Sequence, residues 1–239
     1  MFNGMNWMNS AIDGFMGAFL RSFTVVDCQY LSPQIKITTF KGDVSGFSTQ
    51  VGYAVAVLVN ERKFRNYTPL NIDHKAGTLT IVSHLHGHGP GSLFFESLRP
   101  GFRVQMSAPR GFKQYDSSIE KQVFFGDETS LGIAQTILKL LKENGHTYQF
   151  YFELSAENAD IPQLMGIDNS LVLPKGISQE QIASSLPIFC HEQWRHVNFL
   201  LTGNASSLQQ FRKVIRQQEQ AIANKIYSKG YWQPGKTAL

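Results

Sequence analysis

The order of apolar and polar positions divides the chain into three rhythms. In residues 5–19, Met8, Ile12, Phe15, Met16 and Phe19 recur at helical spacing, and Ser10 with Asp13 makes a capping-box-like start, which predicts a short amphipathic helix. No lysine or arginine precedes Arg21, so this helix is expected to pack on its own domain or on a partner subunit rather than on a membrane surface. From Ser22 to about Pro109 the runs become short and β-rich: 23–28, 34–40, 52–59, 79–84 and 103–107, separated by Gly, Pro and Asn/Asp clusters. Strands at that spacing predict a small antiparallel barrel, interrupted by one helix at 92–98.

Beyond Lys121 strands alternate with helices. Strands are expected at 122–125, 148–154, 171–173 and 197–202, and helices at 129–144, 179–185 and from Ser206 onward. In the last of these helices Leu208, Phe211, Ile215, Ile222 and Ile226 continue the helical period. Such alternation builds a mainly parallel sheet covered on both faces. The fold class is therefore a β-barrel followed by an α/β domain, with the boundary near 111–119.

Composition narrows the function classes. The 239 residues are 42% hydrophobic and 17% charged, which leaves no room for long disordered tails and is enough chain for two cores. The net charge of +4 is scattered, which favours small anionic ligands over nucleic acid. Cys28 and Cys190 are too isolated to form a zinc motif or a disulfide framework. No run approaches the ~18 apolar residues of a membrane span, and the amino terminus lacks the signature of a signal peptide, so no membrane insertion and a cytoplasmic address are expected.

Three segments carry chemistry. In Arg65-Asn66-Tyr67-Thr68, strand alternation puts Arg65 and Tyr67 on one side, a phosphate-gripping cation beside an aromatic face that can stack on a flat ring, with the Thr68 hydroxyl at the same edge. In the run from His84 to Ser92, Gly89-Pro90-Gly91-Ser92 opens a helix whose N–H groups suit a pyrophosphate. The alternative is an ordinary glycine-rich turn. His84, His86 and His88 at period two leave a metal site open, beside imidazoles lining an organic ligand. In Phe125-Gly126-Asp127-Glu128-Thr129-Ser130, a strand turns tightly into a helix without the Gly-x-Gly-x-x-Gly fingerprint. Its two acids would repel a phosphate docked directly there, so the turn at Gly203 is the expected phosphate site. The bland reading is an acidic helix cap.

Together with the ending Gly230-Tyr231-Trp232-Gln233-Pro234-Gly235, these segments resemble the siderophore-interacting protein family of the ferredoxin-NADP reductase superfamily. The resemblance runs from about Phe23 to Gly235. It implies an antiparallel FAD-binding β-barrel over 22–112 and a Rossmann-like NAD(P)-binding α/β domain over 119–239. It also implies an FAD-dependent enzyme carrying electrons from NADPH or NADH to a ferric siderophore. Tyr67 and Thr68 would face the isoalloxazine as catalytic residues, Arg65, Gly91 and Ser92 would hold the pyrophosphate, and His84 and His86 would line the FAD groove. Gly126, Asp127, Thr129 and Gly203 would serve the donor, and Tyr231 and Trp232 would close the structure over the flavin region. Lys225 and Lys229, one helical turn apart, and Lys236 after the Gly-Tyr-Trp turn are expected to attract the anionic chelate. A ferredoxin-like donor, a protein or quinone acceptor, and a flavin- or chelate-binding module without turnover remain the alternatives.

Overall fold

The structure, a computed structural model, describes residues 20–48, 50–61, 63–178, 181–182, 186–190, 194–217 and 223–235. The expected amino-terminal helix, Ile222, Lys236 and most of the helix expected at 179–185 lie outside these residues. The chain divides into two compact units, Met1–Tyr30 with Lys36–Phe112, and Leu31–Ile35 with Lys113–Leu239.

The first unit is one curled sheet of eight strands. They are β1 (Leu20–Ser32), β2 (Ile35–Gly42), β3 (Tyr53–Asn60), β4 (Lys63–Tyr67), β5 (Pro69–Asp73), β6 (Thr78–His84), β7 (Arg103–Ser107) and β8 (Arg110–Gly111), with α1 (Pro90–Ser97) between β6 and β7. The order is β4-β3-β7-β1-β2-β6-β5, with β8 added to β3. Period-two patterning sets the inner face: Val55, Val57 and Val59 alternate along β3 and Val104 and Met106 along β7, all buried. These side chains close on Phe23, Phe40, Leu79, Ile81 and Phe95 to form the core. The sequence pattern missed β4 and β5 as separate strands, because each has only five residues and neither alternates cleanly.

The second unit holds β9 (Lys121–Gly126), α2 (Leu131–Glu143), β10 (Thr147–Leu154), α3 (Ile161–Leu164), β11 (Ser170–Pro174), α4 (Pro187–Cys190), β12 (Val197–Asn204), α5 (Ala205–Gln217) and β13 (Ala223–Trp232). Its five strands are all parallel, in the order β11-β10-β9-β12-β13. β9, β10 and β12 read as nearly continuous apolar runs because both faces are buried. Phe125 stacks on Phe211 of α5 at 4.5 Å, while Phe124, pointing the opposite way, meets Phe150 and Phe152 at 5.3 and 5.6 Å. α2 buries Leu131, Ala134, Ile137, Leu138 and Leu141 at three- and four-residue spacing and stops where Gly145 takes φ +65.

One expectation is overturned. The terminal helix ends at Gln217, and residues 223–232 form β13, so Ile226, Lys225 and Lys229 lie on a strand and not on a helix face. Ile226 happens to fall in phase with the helix, but its hydrogen-bond partner is β12, where Phe199 pairs with it. Among the described residues no helix is long and apolar enough to cross a membrane.

Candidate flavin site and candidate donor site

In the first unit, β4 runs antiparallel to β3 with Tyr67 opposite Val55 and Arg65 opposite Val57. Two residues apart on one strand, Arg65 and Tyr67 face the same way, and α1 lies against them. A Cβ placed on Gly91 would come within 2.6 Å of the Tyr67 hydroxyl and 3.2 Å of Arg65 Cγ, so the first turn of α1 seats on this pair only because Gly91 has no side chain. The Tyr67 ring packs on Phe95 at 4.3 Å. Burial of its hydroxyl end pushes the phenol well above its ordinary pKa, against the opposing charge of Arg65, so Tyr67 is neutral at every physiological pH.

The start of α1 is built for an anion. Gly89 precedes it at φ +78, Pro90 occupies the first turn, and no side chain caps the helix, so the N–H groups of the first turn keep their partial positive charge without an internal acceptor. Ser92 is buried and its hydroxyl accepts the Gly87 N–H at 3.1 Å, which ties the glycine turn to the helix. His84 and His86 have ring centroids 5.6 Å apart, and His86 and His88 6.4 Å. The His86 Nδ1 accepts the His88 N–H at 3.3 Å. Among the described residues no three His, Cys, Asp or Glu side chains gather as a metal site requires. Thr68 follows β4 at its end, half-buried beside Pro69. An uncapped helix start beside an arginine and an aromatic ring fits a dinucleotide with a pyrophosphate and a flat ring system.

In the second unit the site forms at the carboxyl ends of β9, β12 and β13, where the strand order reverses. That crevice is where open α/β sheets bind ligands. Asp127, buried, accepts five hydrogen bonds there: from the Thr129 N–H at 2.9 Å, the Thr129 hydroxyl at 2.5 Å, the Ser130 hydroxyl at 3.5 Å, the Asn204 N–H at 2.8 Å and the Trp232 indole at 2.7 Å. Burial pushes this carboxyl above its ordinary value, and the hydrogen bonds from Thr129 and Trp232 pull the other way. The structure thus brings Asp127, Thr129, Gly203 and Trp232 together, but their polar groups are engaged with one another. A Cβ on Gly203, which has φ +111, would lie 2.5 Å from Asp127 Cγ, and one on Gly126 would lie 2.5 Å from Ser130 Cβ. These glycines make room for neighbouring side chains of the same unit, which is a different cause from the ligand approach expected of them.

Sequence reasoning read Glu128 as a helix-cap acid and missed its partner. Glu128 has a side chain only 1% exposed and pairs with Lys175 at 2.9 Å, and it also accepts the Ser155 N–H at 2.9 Å. No local pattern announces a lysine 47 residues away. A cleft of about 420 Å³ adjoins this pair, lined by Leu154, Ser155, Ala156, Ala159, Val172, Leu173, Pro174 and Lys175. Burial pushes the Glu128 carboxyl up, but the bonds from Lys175 and Ser155 outweigh it and leave the pKa below the ordinary value. A depressed pKa contributes stability above the unfolded value, and that stability is lost as pH falls through the folded one. Glu128→Gln is therefore expected to cost about 1–2 kcal/mol at pH 7, and to remove part of the acid sensitivity below about pH 4.5, measured by urea unfolding at pH 7 and pH 3.5.

Lys225 and Lys229 are exposed on β13, two residues either side of Tyr227, and Lys225 Nζ lies 4.7 Å from that ring.

A curled antiparallel sheet with an uncapped helix, followed by a five-stranded parallel sheet, defines a two-unit architecture. Residues 22–115 match the family of oxidoreductase FAD-binding domains. The chain has the fold of the siderophore-interacting proteins. It is similar to the siderophore-interacting protein SipS from Aeromonas hydrophila, with a TM-score of 0.72 and 19% identity over 91% of this chain and 92% of that one. It is similar to CYP116B46 from Tepidiphilus thermophilus, with a TM-score of 0.69 and 14% identity over 89% of this chain and 29% of that one. The uncharacterized oxidoreductase AIM33 of Saccharomyces cerevisiae is 36% identical over 69 residues, which are 28% of this chain. The chain thus spans 22% of the length of this curated relative.

Proposed function

We propose that the chain is an FAD-dependent reductase that carries electrons from NADPH or NADH to a ferric siderophore and so releases iron in the cytoplasm. The observation that supports this reading best is the Arg65–Tyr67 pair under the uncapped start of α1, inside the segment that matches the FAD-binding family. FAD, when bound, accepts a hydride and gives up electrons singly, which suits one-electron reduction of iron. Arg65 and the N–H groups of Gly91 and Ser92 hold the pyrophosphate, Tyr67 presents its ring to the isoalloxazine, Thr68 lies near N5, and His84 and His86 line the groove. In the second unit Gly126, Asp127, Thr129, Gly203 and Trp232 shape the end of the sheet that receives the donor. Oxygen-rich chelators prefer the hard Fe(III), so reduction to Fe(II) weakens binding while the chelator survives.

A reductase that passes its electrons to a protein or quinone acceptor is the second reading, and a ferredoxin-like protein could replace the nicotinamide donor. A likeness in fold to phthalate dioxygenase reductase, which transfers electrons from pyridine nucleotides to a 2Fe-2S centre, supports it. Anaerobic mixing of the FAD-loaded protein with NADPH or NADH, followed by a ferric siderophore, separates these readings. The flavin absorbance is expected to bleach and then to recover with the ferric chelate. Protein that stays colourless after incubation with FAD overturns both, and recovery only with a protein or quinone acceptor favours the second.

Lys225 and Lys229 keep their proposed role from their new place, because residues four apart on a strand point to the same side and β13 exposes both. Replacing both with alanine is expected to raise KM for an anionic ferric siderophore about 3- to 10-fold at low salt while sparing flavin reduction by the donor. Steady-state kinetics at two ionic strengths checks this, since wild-type KM should rise with salt and the variant's should not.

A further inference from the structure

Among the described residues of the first unit, Lys36 is the only charged side chain in the buried core, 1% exposed. It lies on β2 in phase with Thr38 and Phe40, which also point inward. Among the described residues its ammonium has no carboxylate partner. Instead Nζ donates to the carbonyl oxygens of Leu98 at 2.6 Å, Phe95 at 2.9 Å and Glu96 at 3.4 Å, with the Tyr30 ring 5.1 Å away. Those carbonyls belong to the carboxyl end of α1, where Phe95 O also accepts the Leu98 N–H at 3.4 Å. α1 has no basic residue of its own in its last turn, so Lys36 reaches across from the sheet to supply the cation that the negative end of the helix lacks.

The other end of this eight-residue helix is the anion-binding start described above, held by no side-chain cap. Over about 12 Å a two-turn helix moves as a rigid rod, so whatever fixes its carboxyl end also fixes where its first N–H groups point. The seat of Gly91 against Tyr67 and Arg65 leaves little tolerance for a shift.

We propose that Lys36 is a positioning residue for the pyrophosphate end of the flavin site: by gripping the carboxyl end of α1 it sets the register of Gly91 and Ser92 against Arg65. The proposal rests on the flavin reading. It differs from a purely structural role in one measurable respect. A mispositioned helix start weakens ligands that carry the pyrophosphate and spares those that do not.

The test compares wild type with Lys36→Met, which fills similar space without charge. Dissociation constants for FAD and for riboflavin are taken from fluorescence titration, and amide hydrogen exchange is followed over residues 90–98. Affinity for FAD is expected to fall about tenfold and that for riboflavin less than about twofold, with faster exchange confined to α1. Equal losses for both flavins with faster exchange throughout the unit, or no change in either, would overturn the proposal. If Lys36→Met does not fold, Lys36→Gln, which keeps an uncharged donor, is read by the same ratio. Wild-type protein that binds neither flavin overturns the flavin reading and takes the proposal with it, a result distinct from the other two.

Discussion

Asp127→Ala is expected to lower the unfolding free energy by about 3–5 kcal/mol, since it strands five donors, the Thr129 N–H and hydroxyl, the Ser130 hydroxyl, the Asn204 N–H and the Trp232 indole, around a cavity. Urea titration followed by tryptophan fluorescence and circular dichroism checks this, with an unchanged m-value if the native fold survives. Asp127→Asn keeps one acceptor oxygen and should lose about half as much. Gly203→Ala supplies a control, because its Cβ would strike the Asp127 carboxylate as well as occupy φ +111. In the double variant Asp127→Ala/Gly203→Ala the collision is gone and only the backbone strain remains, so the two losses should add to less than their sum. Simple additivity would mean that Asp127 does not fill the space that Gly203 leaves.

The second large effect concerns the flavin. Arg65→Ala removes a charge-assisted contact to a phosphate, and FAD affinity is expected to fall roughly 10- to 150-fold, equivalent to about 1.5–3 kcal/mol. Stability should change by about 1 kcal/mol or less, because Arg65 is half-buried on β4 and donates to the carbonyl of the adjacent Phe64. Arg65→Lys keeps the charge without the planar fork and should fall between. Tyr67→Ala loses the ring that packs on Phe95, so it should weaken FAD and stability together. Titration calorimetry beside thermal unfolding distinguishes these patterns. Full FAD occupancy after gel filtration in both Arg65→Ala and Tyr67→Ala would move the site elsewhere.

What the sequence revealed follows the range of the interactions involved. Strand alternation is local, so the common face of Arg65 and Tyr67 could be read from two positions. The buried parallel strands announced themselves because burial on both faces demands unbroken apolar runs, as in β10 and β12. β13 did not, because at the end of the described strand order it pairs with one strand, β12, and its exposed lysines and serine interrupt any period of two. Lys36 was legible only in part. Its phase with Phe40 places it inward, but the carbonyls that make burial tolerable lie some 60 residues away. The glycines were ambiguous for a simpler reason. A missing Cβ shows that something comes close, and only the fold tells whether that something is a ligand or, as at Gly203, an aspartate.

β13 has a further consequence. In the described sheet its outer side faces no other strand, and such an edge offers a template for a second copy or a misfolded chain. Lys225 and Lys229 stand on that strand as charged guards, since strand addition would force like charges together and desolvate them. The lysines proposed to draw in an anionic chelate would then also keep the protein dispersed. Neutralising them removes both effects at once, so a double variant that scatters light or elutes early is showing the exposed strand finding a partner, and its kinetics speak about iron only while it remains the size of the wild type.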